Sequence, residues 1–283
     1  MADTLRTLVG LKVDTTNIPI QKYSVNHNIE WKEVKASATL SNDYTTLIKR
    51  MTEASFETYD IYRLLMTALS GGLYKKTDVE AYLGEFADAP DGDIFYTKTG
   101  VSKNEYEDGL VYIDTINCPL NDVVSVSFKV RGVEMKTETT NLETFIITHD
   151  SLYMIDGISF NEEETIYGVK DLTISTNFEF YDYYKTKIDP DMSAITGIKP
   201  RAKCSAVVDA IGVLDDLTGN DTIVLHFKRC IKNGVGTESG GTITLNNCNI
   251  TYDSQDANLG EIATVGFDII IGSLTFALTG AGA

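Results

Sequence analysis

The chain has 283 residues, 43% of them hydrophobic and 23% charged, a globular composition with room for one large β domain or two small ones and a sizeable core. Its 41 Asp and Glu against 24 Lys and Arg leave a formal net charge of −17. Self-repulsion of that size argues against a protein that grips nucleic acid or an anionic membrane through neutralising contacts.

The opening MADTLRTLVG lacks the basic and apolar regions of a secretory signal, and no segment reaches the apolar length of a membrane span, so synthesis and folding in the cytosol are expected. Cys118, Cys204, Cys230 and Cys248 stand far apart with no CxxC pair. Buried, reduced thiols are therefore expected in preference to a zinc knuckle or a disulfide framework.

Ile18 to Leu40 is rich in β-branched and aromatic residues in imperfect alternation, which predicts a strand pair with a turn near Asn26 to Asn28. Between Asp43 and Leu69 the apolar positions Leu47, Ile48, Met51, Ala54, Ile61, Leu64, Leu65, Ala68 and Leu69 recur mostly at spacings of three and four. That spacing predicts one amphipathic helix or two in succession, capped by Ser41 or Asp43 and stopped by Ser70, Gly71 and Gly72. A shorter helix is expected over Asp78 to Phe86, and Asp88 to Asp108 reads as an exposed loop or hairpin tip.

After Leu110 the chain reads as strands: Val123 to Val130, Thr144 to Thr148, Leu152 to Ile155, Thr165 to Tyr181, Ala202 to Ile211, Thr222 to Phe227, Thr242 to Tyr252 and Ile262 to Leu278. In DLTISTNFEFYD, Leu172, Ile174, Phe178 and Phe180 share one face, and Asp171, Thr173, Ser175, Asn177 and Glu179 the other. A strand of this kind has one face on a core and one in water. The last strand, EIATVGFDIIIGSLTFAL, is apolar on both faces, so it is either central to a sheet or covered by a neighbouring subunit.

No catalytic constellation emerges. His27, His149 and His226 lie far apart without a neighbouring nucleophile or metal motif. His226 and Cys230 would be about 13 Å apart on a strand, at a rise near 3.3 Å per residue, which favours ordinary packing over a metal site. The glycine-rich Asn233 to Thr242 lacks the GK[ST] ending of a phosphate loop. Asp88, Asp91 and Asp93 resemble a calcium loop only loosely, because Pro90 stands where an oxygen ligand is needed. Glu162 to Glu164 read as charged surface. No cofactor-binding or metal-binding residue is identified. Lys185, Lys187, Lys199, Arg201 and Lys203 are the one local concentration of cations, expected on a loop facing acidic surface, including that of another copy.

From Val169 to Leu278, VKDLTISTNFEF leads through IDPDMSAITGIKP into RAKCSAVVDA; an acidic turn (DDLTGND), TIVLHFKR and a closing pair, GTITLNNCNITYDSQ and GEIATVGFDIIIGS, follow. This order of parts resembles the bacteriophage tail tube family of major tail proteins. The resemblance implies a mainly β fold, an antiparallel β-sandwich or barrel of the tail tube type with a flanking α-helix and a helical insertion. It implies a single domain over 1–283, with the helical segment 43–87 and the loop 88–108 as an insertion.

It further implies a structural virion protein, not an enzyme, assembled in the host cytoplasm. Copies would form rings, usually hexameric, stacked into a tail tube that meets other tail proteins and conducts DNA into the host cell without binding it specifically. The lumen in that family tends to be electronegative, which would give the acidic balance a purpose.

Asp171, Thr173, Ser175, Asn177 and Glu179 are candidate lumen-facing residues, with plain solvent exposure as the competing reading. Asp91, Asp93, Tyr106, Phe267, Ile269 and Ile271 are candidate inter-subunit residues, on arms that include the segment before Ile20, the Asp88 to Asp108 loop and the strand from Ile262 to Leu278. The alternatives are a β-sandwich module binding a receptor or carbohydrate, and another tail ring component such as a terminator or baseplate protein. Trp31, the single tryptophan, lies in an alternating strand where a core role is expected.

Overall fold

A computed structural model describes residues 6–34, 44–88, 94–96, 99–119, 121–132, 135–144, 152–161, 169–184, 192–207, 221–230, 238–256 and 264–280. Strands dominate them. In chain order these are β1 (Arg6–Val13), β2 (Thr16–Ile18), β3 (Lys22–Val34), β4 (Tyr44–Thr58), β5 (Tyr74–Asp88), β6 (Ile94–Tyr96), β7 (Thr99–Pro119), β8 (Ser125–Gly132), β9 (Met135–Thr144), β10 (Leu152–Phe160), β11 (Val169–Ser175), β12 (Phe178–Tyr183), β13 (Met192–Ile198), β14 (Arg201–Val207), β15 (Asp221–Cys230), β16 (Ser239–Asp256), β17 (Thr264–Ile270) and β18 (Ser273–Leu278). A short π-helix, Arg63–Ala68, lies between β4 and β5. Every pairing is antiparallel. Sixteen strands join one sheet, whose path does not close into a barrel among the described residues, and β12 with β13 forms a second.

The first half departs from the sequence reading. β3 runs straight through Asn26 to Asn28, where a turn is expected, and pairs along its whole length with β4. The expected helix over 43–69 is a strand up to Thr58. There Thr52, Ala54, Phe56 and Thr58 are buried while Glu53, Ser55 and Glu57 are half-buried, a period of two. Helical geometry begins only near Ile61, where Ile61, Leu64, Leu65, Ala68 and Leu69 are all buried. The stop is where the glycines place it. Ser70 and Gly71 have φ of 54° and 78°, and the Gly71 amide donates to the Leu65 carbonyl at 2.7 Å. Asp78 to Phe86 lies in β5, not in a helix, and β6 with the first half of β7 occupies much of the expected loop 88–108. From Arg6 on, the segment before Ile20 is not a free arm: β1 pairs with β5 and β2.

β7 organises this half. β8 and β9 lie end to end along one of its edges, and β5 and β11 end to end along the other: Tyr112 pairs with Lys129 and Tyr74, and Thr115 with Ser127 and Ser175. The second half repeats the device. β17 and β18 run end to end along β16, separated by Ile271 and Gly272. At that point Asn247 has φ of 53°, and the Gly272 amide donates to the Asn246 carbonyl at 3.0 Å. A Cβ on Gly272 would come within 2.8 Å of the Asn247 Cβ, so the bend needs glycine. Past it, β16 is flanked by β15 and β18, and β10 follows β15.

One hydrophobic cluster ties the two ends together. It holds Leu11, Phe56, Ile113 and Phe128 alongside Tyr153, Ile223, Leu245 and Phe276. Tyr23, Phe56 and Phe128 stack in sequence at centroid separations of 5.0 and 5.2 Å. The expected strand Thr144 to Thr148 lies outside the described residues beyond Thr144, as does the end of Ala202 to Ile211.

Candidate polar face and concavity

Hydrogen-bonded register places a single row of side chains across eight strands: Lys22, Glu57, Ser127, Thr115, Ser175, Arg201, Ile270 and Asn249, on β3, β4, β8, β7, β11, β14, β17 and β16. At about 4.8 Å per strand spacing the row is about 34 Å wide. Because side chains alternate, the adjoining row faces the core: Val126, Ile116, Ile174, Ala202 and Ile269 are each 3% exposed or less. Along this row one face of the sheet is therefore largely polar, with Ile270 as an exposed apolar member, and the other is apolar and closed.

Asp171, Thr173 and Ser175 stand together on the polar face of β11, as the alternation predicts. The alternation then breaks. Thr176 is buried, its hydroxyl donating to the Ile113 carbonyl, and Asn177 has φ of 48°, so the expected strand Thr165 to Tyr181 is two strands over its described part, from Val169 on. Asn177 still faces Thr173 and Ser175 across a concavity, whereas Glu179 lies on the exposed side of the β12 hairpin and pairs with Lys199 at 2.6 Å. Phe178 and Phe180 do not join Leu172 and Ile174 in the core. They fold over the outer face of the sheet, Phe178 against Tyr74 and Tyr112 and Phe180 against Tyr112, at centroid separations of 5.8, 5.2 and 4.9 Å. Arg131 clamps this hairpin: its guanidinium lies 4.5 Å from the Phe180 ring centroid, donates to Asp182, and sits 3.6 Å from Glu53.

The concavity, of about 500 Å³, is lined by Thr173, Ser175, Asn177, Arg201, Lys203 and Asp268. Arg201 and Lys203 lie on a strand and not on the loop expected for them; Lys203 is opposite Thr173 on one side and Asp268 on the other. Asp268 was not legible as part of this face, because its apolar neighbours Phe267 and Ile269 dominate the text around it. The alternation through GFDII carries the only signal for it.

The candidate inter-subunit residues fall elsewhere. Tyr106 is 0% exposed, and Phe267, Ile269 and Ile271 are 4%, 3% and 3% exposed. These four are covered by the chain's own strands, which removes them from any surface a second copy could reach in this conformation. β17 is central, between β14 and β16, and its exposed apolar side chain is Ile270. Asp91 and Asp93 lie outside the described residues.

The face is not uniformly acidic. Lys129 pairs with Asp114 at 3.1 Å, Arg131 with Glu53 at 3.6 Å, and Arg201 with Asp268 at 3.8 Å. The four cysteines are free thiols; burial pushes those of Cys118, Cys204 and Cys248 up to about 12. His226 receives or donates a hydrogen bond with Ser159 at 2.9 Å. Among the described residues no three His, Cys, Asp or Glu side chains converge as a metal-ligand set, and no helix is long and apolar enough to cross a membrane.

No protein-family model matches the chain, and no curated protein matches it.

Proposed function

We propose that this chain is a structural subunit of a bacteriophage-type tail tube, an antiparallel β-sandwich or barrel that assembles with copies of itself into stacked rings and conducts DNA. The observation that carries the reading is the eight-strand row with a largely polar face backed by an apolar core. A wide sheet of this kind supplies a hydrophilic wall beside the β12–β13 hairpin when copies are placed around an axis, and head-to-tail contacts between copies close into a ring. Mixed charge along the wall, with most cations already paired, keeps contacts with a passing polyanion weak. The resemblance of Val169 to Leu278 to the family adds to this reading.

The test is negative-stain electron microscopy of the purified protein, paired with its mass in solution. Rings or tubes with a channel wide enough for duplex DNA are expected. A species that stays monomeric at high concentration across salt conditions overturns the reading. It would favour instead a binding module using Tyr181, Tyr183 and Met192, which are 59%, 42% and 54% exposed on the outer side of the β12–β13 hairpin.

A further inference from the structure

The concavity on β11, β14 and β17 departs from the rest of the polar face in its charge balance. Lys129 and Arg131 each have a carboxylate close by. Among the described residues Lys203 has neither an ion pair nor a hydrogen bond, and Arg201 has one carboxylate, Asp268, at 3.8 Å. Among the residues that line it, two cations stand against one carboxylate, and Asp171 lies outside the lining, next along β11 from Thr173.

The donors also converge. Arg201 and Lys203 are two residues apart on β14, so both side chains leave the same face, about 6.6 Å apart along the strand at a rise near 3.3 Å per residue. Register sets Ser175 beside Arg201 and Thr173 beside Lys203, each a hydroxyl next to a cation. Guanidinium, ammonium and two hydroxyls form a donor set suited to a tetrahedral oxyanion. A volume of about 500 Å³ exceeds the needs of one phosphate and suits a short run of sugar and phosphate.

We infer that this concavity is an oxyanion site that takes phosphate groups of a phosphodiester chain, with Arg201 and Lys203 neutralising phosphates, Ser175 and Thr173 donating to their oxygens, and Asp268 setting the affinity low by competing for Arg201. The phosphodiester source, DNA passing along this face, rests on the tail tube reading; the oxyanion chemistry does not.

The experiment titrates the full-length protein with a random-sequence duplex oligonucleotide, and separately with pyrophosphate and a mononucleotide, at several salt concentrations. In the wild type the duplex is expected to bind weakly and more tightly than the small anions. Replacing both cations, Arg201→Gln with Lys203→Gln, should reduce the slope of log affinity against log salt by about 1.8, at about 0.9 per neutralised phosphate. Asp268→Asn should do the opposite and tighten binding several-fold. Opposite shifts from one patch cannot come from misfolding, and unchanged circular dichroism confirms it.

Duplex binding with an unchanged salt slope in the double variant overturns the proposal, as does small-anion binding that exceeds duplex binding. A double variant that changes the mass of the assembly but not anion binding also overturns it, and assigns the cations to an acidic surface of a second copy. Because oligonucleotide binding is read on the protein whether or not rings form, failure of this site and failure of the tube reading give different results.

Discussion

The hydroxyls of Tyr23 and Tyr106 meet at 3.1 Å across 83 residues of sequence, and the Asn104 amide donates to the Tyr23 oxygen at 2.8 Å. Tyr106 is 0% exposed, and burial first, then the neighbouring Tyr23, holds its hydroxyl far above the ordinary tyrosine range. Thr137 in turn donates to the Asn104 carbonyl at 2.9 Å, so one polar chain links β3, β7 and β9. Tyr23→Phe keeps the ring stacked on Phe56 but takes from the Asn104 amide the oxygen it donates to. It should cost about 1–3 kcal/mol, the usual penalty for an unsatisfied buried polar group. A fall in the urea midpoint with an unchanged slope is the expected readout, and a midpoint equal to wild type counts against the network.

Tyr106 also shows what the text of the sequence could and could not carry. Around it, KNEYEDG reads as turn chemistry because the polar neighbours outnumber the apolar ones. The strand's buried face is Ser102, Asn104 and Tyr106, closed by hydrogen bonds and not by hydrocarbon alone. The same confusion governs β4, where Thr52 and Thr58 are buried beside Ala54 and Phe56, so the period of two is written partly in polar letters. Leu47, Ile48 and Met51 then supply a false period near 3.6. By contrast, β11 and β14 alternate more cleanly in apolar and polar letters, and there both the strands and the polar face of Asp171, Thr173 and Ser175 were legible. The fold of Phe178 and Phe180 back over the sheet was not, because alternation fixes which side chains share a face but not which sheet that face meets.

Arg131 joins the hairpin to the sheet through Asp182, Glu53 and the Phe180 ring, with its side chain only 16% exposed. Lysine cannot reproduce the planar fork or its stacking. Arg131→Lys should therefore loosen Phe178 to Tyr183 selectively, at a cost of about 1.5–3 kcal/mol for hydrogen bonds to a charged group. Hydrogen exchange should show lost protection in β12 and β13 with β7 and β8 unchanged. Uniform loss over all four strands would mean that the hairpin is not a separate unit.

Glu80 and Lys103 pair at 2.6 Å on neighbouring strands. Desolvation acts to raise the Glu80 pKa, but hydrogen bonds from Lys103 and Tyr82 outweigh it, and the net direction is down. The Lys103 pKa is raised, chiefly by its hydrogen bond to Glu80. A depressed carboxylate contributes stability above its unfolded value of 4.5 and loses it as pH falls through the lower folded value. A raised ammonium contributes fully below 10.5 and loses its part as pH rises through the higher folded value. Glu80→Gln should thus lower the melting temperature at neutral pH and flatten its decline in acid. Parallel wild-type and variant curves below pH 4.5 would remove Glu80 from the acid response.

Gly241 and Gly71 share a left-handed backbone, with φ of 89° and 78°, yet differ in their surroundings. A Cβ at Gly241 would lie 2.1 Å from the Ala277 carbonyl oxygen and 2.7 Å from the Leu278 Cα, where β16 pairs with β18; a Cβ at Gly71 meets nothing within 4 Å. Gly71→Ala therefore carries backbone strain alone, about 1 kcal/mol. Gly241→Ala adds a collision with backbone, which cannot move without parting β18 from β16. That variant should lose at least about 3 kcal/mol, from strain and lost strand pairing together. Paired denaturation curves decide it: the two variants falling by the same amount would show that the close approach of β18 does not hold, and a larger fall at Gly241 ties the C-terminal strand to the stability of the whole sheet.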